Sequence, residues 1–302
     1  MKAAVICSKG MGDGLMMMVA SHRLKLEGYR VTTFQDILGQ LKEWFPEQSF
    51  AKRSTIENLD HFDFILLQND NTPFSLNIVD QYRDKTHVLY ASYEEGKHRP
   101  HTPKDYTFNR SQPMAANIAE GIAFLLGKVD PIKENGITIP ENLTYRKHKK
   151  RIVIHPTSTT PKRTWNAEKF IKVAKKLESE GFSPIFSTGP SEREEWEPLL
   201  KGRFPLPKFP TLNELAPYIY ESGFFIGNES GTGHLASNLG IPTLIVAGCA
   251  KQMTLWRPGF LLGQVITPPQ YIPNFKVLRL REKKWQTFIS PRRIVKAFYN
   301  SY

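Results

Sequence analysis

Cysteine is nearly absent: Cys7 and Cys249 are the only two in 302 residues. Far apart and without metal-ligand spacing, they exclude a disulfide framework and a cysteine-held zinc ion. Both are read as buried thiols at strand ends in a reducing cytosol. Long hydrophobic runs are missing too. Nothing approaches the ~20 apolar residues of a membrane span, and Lys9 and Asp13 break the apolar N-terminus before a signal core forms. The expected protein is soluble, or at most peripheral. The absence of low-complexity tracts and sequence repeats excludes long disorder and a repeat architecture. Acidic residues are in deficit, 29 against 41 Lys and Arg, which leaves a net charge of +12. Such an excess suits an acidic partner, whether nucleotide, phosphorylated glycolipid, membrane surface or nucleic acid, or else serves solubility alone. No nucleic-acid-binding motif accompanies it, and no nucleic acid is expected as a partner.

What the chain does hold is core-forming material, 40% hydrophobic and 12% aromatic, over a length that suits two domains. Its most informative stretch runs from Gly223 to Gly248. A buried strand, a glycine-rich loop, a short helix closed by Gly240 and a second buried strand make one βαβ unit. The small residues Ser230, Gly231, Thr232 and Gly233 leave room for an anion at the helix start, whose first N–H groups lack partners. A phosphate or diphosphate is expected there; the plain alternative is a tight turn capped by Ser230 or Thr232.

A second βαβ unit opens the chain. Ala3–Cys7 reads as a strand, Leu15 to about Glu27 as a helix ended by Gly28, and Val31–Phe34 as the next strand. In the turn between them, Gly10 and Gly12, with Asp36 downstream, resemble a dinucleotide fingerprint. Leu15 stands at its third glycine position, which counts against an NAD-dependent oxidoreductase. Asp13 is either a general base at the top of a strand or a helix N-cap. Phe62–Leu67 and His87–Tyr90 continue the sheet, and Met114–Leu126 reads as an amphipathic helix. The basic, proline-broken segment Lys97–Lys104 either binds an acidic group of an acceptor or is a solvated loop. From Lys128 to Lys150 apolar periodicity fades, and a domain linker is placed there. Its basic run, Arg146–Lys150, is a solvated face or a membrane-surface contact.

The second domain begins with a strand at Arg151–His155, followed by Pro156–Trp165, a turn whose hydroxyls and cations suit a diphosphate. Asn166 is expected to cap a helix over Ala167–Glu180, ended by Gly181. After a strand at Ser183–Ser187, Glu192 either takes ribose hydroxyls or complements a helix dipole. The sheet is expected to end at Trp256–Gly259, and Ser290-Pro291-Arg292 to begin a last helix.

Four blocks together resemble glycosyltransferase family 9, the heptosyltransferase family of lipopolysaccharide core synthesis. They are the Gly12-Asp13 turn; His155-Pro156 through Lys162-Arg163-Thr164-Trp165; Thr188-Gly189-Pro190-Ser191-Glu192; and Glu229-Ser230-Gly231-Thr232-Gly233-His234-Leu235-Ala236. Gly240-Ile241-Pro242 and Trp256-Arg257-Pro258 extend the last block. The likeness is much more specific in the C-terminal half, and the residues between Asp36 and Arg146 hardly carry it.

The resemblance implies an α/β protein of the GT-B fold, two Rossmann-like domains with parallel sheets facing a central cleft. Residues 1–145 would bind the acceptor and 146–287 the nucleotide-sugar, with a C-terminal helix, 288–302, packing back on the N-terminal domain. It further implies an inverting transfer that needs neither metal nor cofactor, and the sequence agrees in lacking an Asp-x-Asp pair. The sugar would be heptose and the acceptor an acidic glycolipid or saccharide of lipopolysaccharide-core type. The protein would work in the cytoplasm, free or at the cytoplasmic face of the inner membrane. Asp13 would be the general base; Ser8, Lys9, Lys97 and Arg99 would contact the acceptor. Donor contacts would come from Thr157, Ser158, Lys162, Arg163, Gly189, Glu192, Glu229, Ser230, Gly231, Thr232, Gly233 and His234. The N–H groups near Thr232 and Gly233, with Lys162 or Arg163, would take the leaving-group charge. Two positions depart from the family pattern: Glu229 stands where Asp is usual, and Asn166 where Pro commonly follows Trp. The first leaves a UDP- or GDP-hexose donor, or a non-catalytic nucleotide-binding protein, as alternatives.

Overall fold

Short apolar runs buried on both faces make strands of covered parallel sheets, and the chain builds two. The computed structural model describes residues 1–261, 263–275 and 279–300. It divides into two units, Met1–Pro140 and Glu141–Tyr302. In the first, β1 (Lys2–Ile6), β2 (Arg30–Phe34), β3 (Ser49–Ala51), β4 (Phe64–Gln68), β5 (Thr86–Tyr90) and β6 (Asp105–Thr107) lie in the order β3-β2-β1-β4-β5-β6. Every pairing is parallel. Helices α1 (Met11–Leu26), α2 (Pro73–Tyr82) and α3 (Met114–Leu125) belong to this unit.

The second unit has β7 (His148–His155), β8 (Ser183–Phe186), β9 (Ser222–Asn228), β10 (Thr243–Val246) and β11 (Gln264–Ile266), ordered β11-β10-β9-β7-β8 and again all parallel. Its helices are α4 (Ala167–Ser179), α5 (Arg193–Leu200), α6 (Leu212–Tyr220), α7 (Gly231–Asn238), α8 (Ala250–Trp256), α9 (Leu280–Lys283), α10 (Trp285–Phe288) and α11 (Pro291–Tyr299). In each sheet the strand order reverses once, between β1 and β4 and between β7 and β9. At such a switch point successive crossovers leave in opposite directions, so a crevice opens outside the carboxyl ends of the two strands.

Several boundaries differ from the sequence expectation for physical reasons. Helix α1 starts at Met11, not Leu15, although it contains Gly12 and Gly14. Close packing overrides propensity: a Cβ on Gly14 would lie 2.9 Å from Gln35 Cγ and 3.0 Å from Leu38 Cδ1. The residues His148–Lys150, placed in the linker by their charge, form the start of β7, which pairs with β9 across an irregularity between His148 and Ile152. The second sheet continues past Trp256 to β11. Strands β3 and β6, three residues each, are too short to show a period.

The buried face of α11, Ile294, Val295, Ala297 and Phe298, shares a core with Ile152, Phe170, Leu177 and Phe224 of the second unit. That face is therefore covered by its own unit. Cys7 is buried as expected, whereas Cys249, beyond the end of β10 and just before α8, is only half-buried. The expected caps are in place: Asn166 accepts from the Lys169 N–H at 3.3 Å, and Gly240 closes α7 at φ 72°.

Candidate active site

The first switch point is organised around the turn after β1. Gly10, not Asp13, is the N-cap of α1, and Asp13 is the third residue inside the helix. Its carboxylate therefore does not cap the helix. Asp13 Oδ1 accepts a 3.0 Å hydrogen bond from Gln68 Nε2, at the end of β4. Gln68 Oε1 in turn accepts from the Ser8 N–H at 3.0 Å. A second glutamine, Gln35, donates to the carbonyl of Lys9 at 3.0 Å and accepts from the N–H groups of Ile37 and Leu38. Both amides are buried. A Cβ on Gly10 would stand 2.5 Å from Asp13 Oδ2, so only glycine leaves the carboxylate its place. Burial, and secondarily the charge of Asp13, push the Cys7 thiol far up; Arg53 pulls it the other way.

Arg53 is itself buried and ion-paired with Asp70, just beyond β4, at 2.7 Å. Asp36, the residue a dinucleotide reading would assign to ribose, accepts instead from the N–H and hydroxyl of Ser54 at 3.0 and 2.9 Å. Those bonds hold its carboxyl below the usual range. Lys97 and Arg99 lie on the loop after β5, the strand beside β4. Lys97 pairs with Glu94, and Arg99 Nε donates to Asp80 of α2 at 2.6 Å. Both cations are thus engaged within their own surface.

The second switch point gathers the donor candidates. The buried Thr157 Oγ1, just after β7, donates to Glu192 Oε2 at 2.8 Å and lies 3.3 Å from His155 Nε2. The N–H of Gly189 also donates to Glu192 Oε2, at 2.7 Å. The acid thus bridges the turns after β7 and β8. His155 Nδ1 faces the Ser187 carbonyl at 2.8 Å, which fixes a proton on that nitrogen. Burial lowers its pKa against the opposing pull of Glu192.

Ser158 Oγ donates to the Glu229 carbonyl at 3.2 Å, and Arg163 Nη1 lies 3.5 Å from Glu229 Oε1. Lys162 is exposed beside it, its carbonyl accepting from Trp285 Nε1 at 2.9 Å.

Ser230 caps α7 by accepting from the Gly233 N–H at 3.3 Å. This leaves the N–H groups of Gly231 and Thr232, which a helix start cannot pair internally. At Gly233 an added Cβ would come within 3.0 Å of Ile245 Cδ1, so the close approach of the sheet favours glycine there. His234 is buried, its pKa pushed down to about 4, and its Nδ1 has no hydrogen-bond partner among the described residues.

Sequence reasoning passed over Gln35, Gln68 and Asn228. Asn228 is fully buried at the end of β9; its Nδ2 donates to the Pro156 carbonyl at 2.6 Å and its Oδ1 accepts from the Trp165 N–H at 3.0 Å. It clamps both ends of the turn after β7. A polar residue ending an apolar strand was the one available signal. Among the described residues, no group of three or more His, Cys, Asp or Glu is placed to hold a metal ion, and no helix is long and apolar enough to cross a membrane.

A family model described as glycosyltransferase family 9 (heptosyltransferase) matches residues 69–258, beginning one residue after Gln68. Lipopolysaccharide heptosyltransferase 3 of Escherichia coli K12 is 30% identical over 122 residues, 35% of this chain and 33% of that protein. The match thus spans about a third of that relative's length. Among solved structures, E. coli ADP-heptose lipopolysaccharide heptosyltransferase II superposes with a TM-score of 0.71 at 15% identity, covering 100% of this chain and 98% of that one. A family 9 glycosyltransferase from Veillonella parvula reaches 0.75 at 18%, covering 99% and 96%. At these identities the structural likeness establishes the GT-B heptosyltransferase fold, two parallel α/β sheets.

Proposed function

Because the chain belongs to glycosyltransferase family 9, the heptosyltransferase family, we propose that it transfers a heptose from ADP-heptose to a hydroxyl of an acidic, lipopolysaccharide-core-type saccharide. Inversion follows from a single displacement. Asp13 takes the acceptor hydroxyl proton, the oxygen attacks the anomeric carbon, and the bond to the diphosphate breaks on the opposite face. The departing charge falls on the N–H groups of Gly231 and Thr232 and on Lys162, since Arg163 already faces Glu229. Glu192 and Thr157 take the ribose, Ser158 the diphosphate, and Glu229 a hydroxyl of the sugar. Ser8 and Lys9, flanking the base, meet the acceptor. Lys97 and Arg99 act only if they exchange their present carboxylate partners.

The observation that carries this reading is the contrast in chemistry at the two switch points. One presents a carboxylate held by a buried amide, the other hydroxyls and cations beside Glu192 and Glu229 and an open helix start. With helix dipole and cations to receive the leaving group, no metal or cofactor is assigned. The proposed place of work is the cytoplasm, free or against the inner membrane.

Calorimetric titration of ADP, UDP and GDP into EDTA-treated protein, with and without magnesium, tests the donor assignment. ADP is expected to bind best and equally well in both conditions. A preference for UDP or GDP would move the donor to a hexose nucleotide, a requirement for magnesium would end the metal-free reading, and failure of all three would overturn the transferase.

A further inference from the structure

The proposed base is held by a side chain outside the matched family segment. Gln68 ends β4, the strand beside β1 at the first switch point, and is 4% exposed. Its amide orientation follows from chemistry. The Ser8 N–H can only donate, so the atom facing it at 3.0 Å must be Oε1. Nε2 must then face Asp13 Oδ1 at 3.0 Å, with Met114 Sδ at 3.7 Å on its other side. A donor placed on one carboxylate oxygen favours the ionised form and fixes the plane of the group. Gly10 completes the fit, because Asp13 Oδ2 occupies the space that a Cβ there would need.

We propose that Gln68 is a positioning residue for Asp13: its amide keeps the carboxylate ionised and turned so that the acceptor hydroxyl meets it in one orientation. This inference rests on Asp13 being the base. Among the described residues, Cys7, at the end of β1, senses the charges of Asp13 and of Arg53, which is paired with Asp70 beyond β4. Both Cys7 and Arg53 are buried in the same unit, and neither donates to Asp13 Oδ1 among the described hydrogen bonds.

The test reads the base directly and needs no acceptor. The Asp13 carboxyl, labelled with carbon-13 and identified by its loss in Asp13→Asn, is titrated by NMR in the intact protein and in two Gln68 variants. In Gln68→Met, which keeps the length but donates nothing, the midpoint is expected to rise so that proton affinity grows about tenfold. In Gln68→Glu, which keeps the acceptor for Ser8 but opposes a second carboxylate, it is expected to rise further. Equal midpoints in intact protein and variants would overturn the proposal, as would a lower Tm with an unmoved titration, which marks a purely structural residue. Gln68→Glu, the closest in shape, carries the test alone if Gln68→Met does not fold. Transfer that survives Asp13→Asn would sink the base reading instead, and is measured separately by ADP release.

Discussion

The two units solve the same architectural problem with different chemistry. Each is a parallel sheet with one reversal of strand order, and each carries its candidate residues on turns at the carboxyl ends of its strands. The first unit spends its buried polar groups on geometry: two neutral amides, Gln35 and Gln68, fix one short turn and one carboxylate. The second disperses charge, setting Lys162, Arg163, Glu192 and Glu229 on the turns after β7, β8 and β9 and clamping the backbone with the buried Asn228. A group that must accept one proton needs aim, whereas a diphosphate needs many weak donors. The difference teaches that one fold can be specialised for either by what ends its strands.

The sharpest way to break this contrast is at Asp13, the proposed base. Asp13→Asn is expected to cut transfer by about 10²–10⁴-fold while ADP affinity, read by calorimetry, stays unchanged. A parallel loss of ADP binding would mean that the two units do not divide the work.

A second prediction concerns acid. His155 and His234 are buried in the second unit with their pKa values lowered by burial, His234 to about 4. In the unfolded chain such groups titrate near 6.5, so as pH falls from there the unfolded state binds protons that the folded state refuses. Stability from these groups is intact above about pH 6.5 and is lost toward pH 4, by roughly 3 kcal/mol for His234. Trp165, Trp196, Trp256 and Trp285 all lie in the second unit, against Trp44 in the first. Urea unfolding followed by tryptophan fluorescence at pH 7 and pH 4.5 should therefore show the loss, and equal midpoints would contradict it.

The smallest effect is expected at Asn228. Its replacement by Leu leaves the buried N–H of Trp165 unpaired, costing roughly 1–3 kcal/mol. ADP affinity should weaken with it, while the titration of Asp13 stays where it is. A shift in that titration would show that the clamp of one unit reaches the base of the other.

Much of this was legible locally. Glycines after apolar strands, Asn166 and Ser230 as caps, and Gly240 as a stop depend on neighbours in sequence, and the structure uses them in that way. The turn after β7 and the start of α7 could be paired through motif order. What could not be read depends on which strands become neighbours. Gln68 and Ser8 are 60 residues apart, and Gln68 and Asp13 are 55. Nothing in either segment announces that β4 lies beside β1. That Asp13 is not the cap could not be read either, because the helix starts earlier than its glycines suggest, with Gly10 as the N-cap. At Gly233 the close approach of Ile245 was equally hidden, because a glycine in a helix start looks the same whatever packs against it.

The two tryptophans behind the cation-bearing turn have a consequence in time. Trp285 Nε1 holds the carbonyl of Lys162, Trp165 Nε1 donates to the carbonyl of Gln286 at 3.3 Å, and Phe298 lies in the same core. The turn that follows β7 is therefore finished by residues made some 120 positions later. On the ribosome, at about 5–20 residues per second, the first unit can be complete on the order of ten seconds before the second acquires these supports. If the proposed donor site is right, a nascent chain possesses a shaped acid well before it can hold a nucleotide, and so passes through synthesis with no means of consuming its donor.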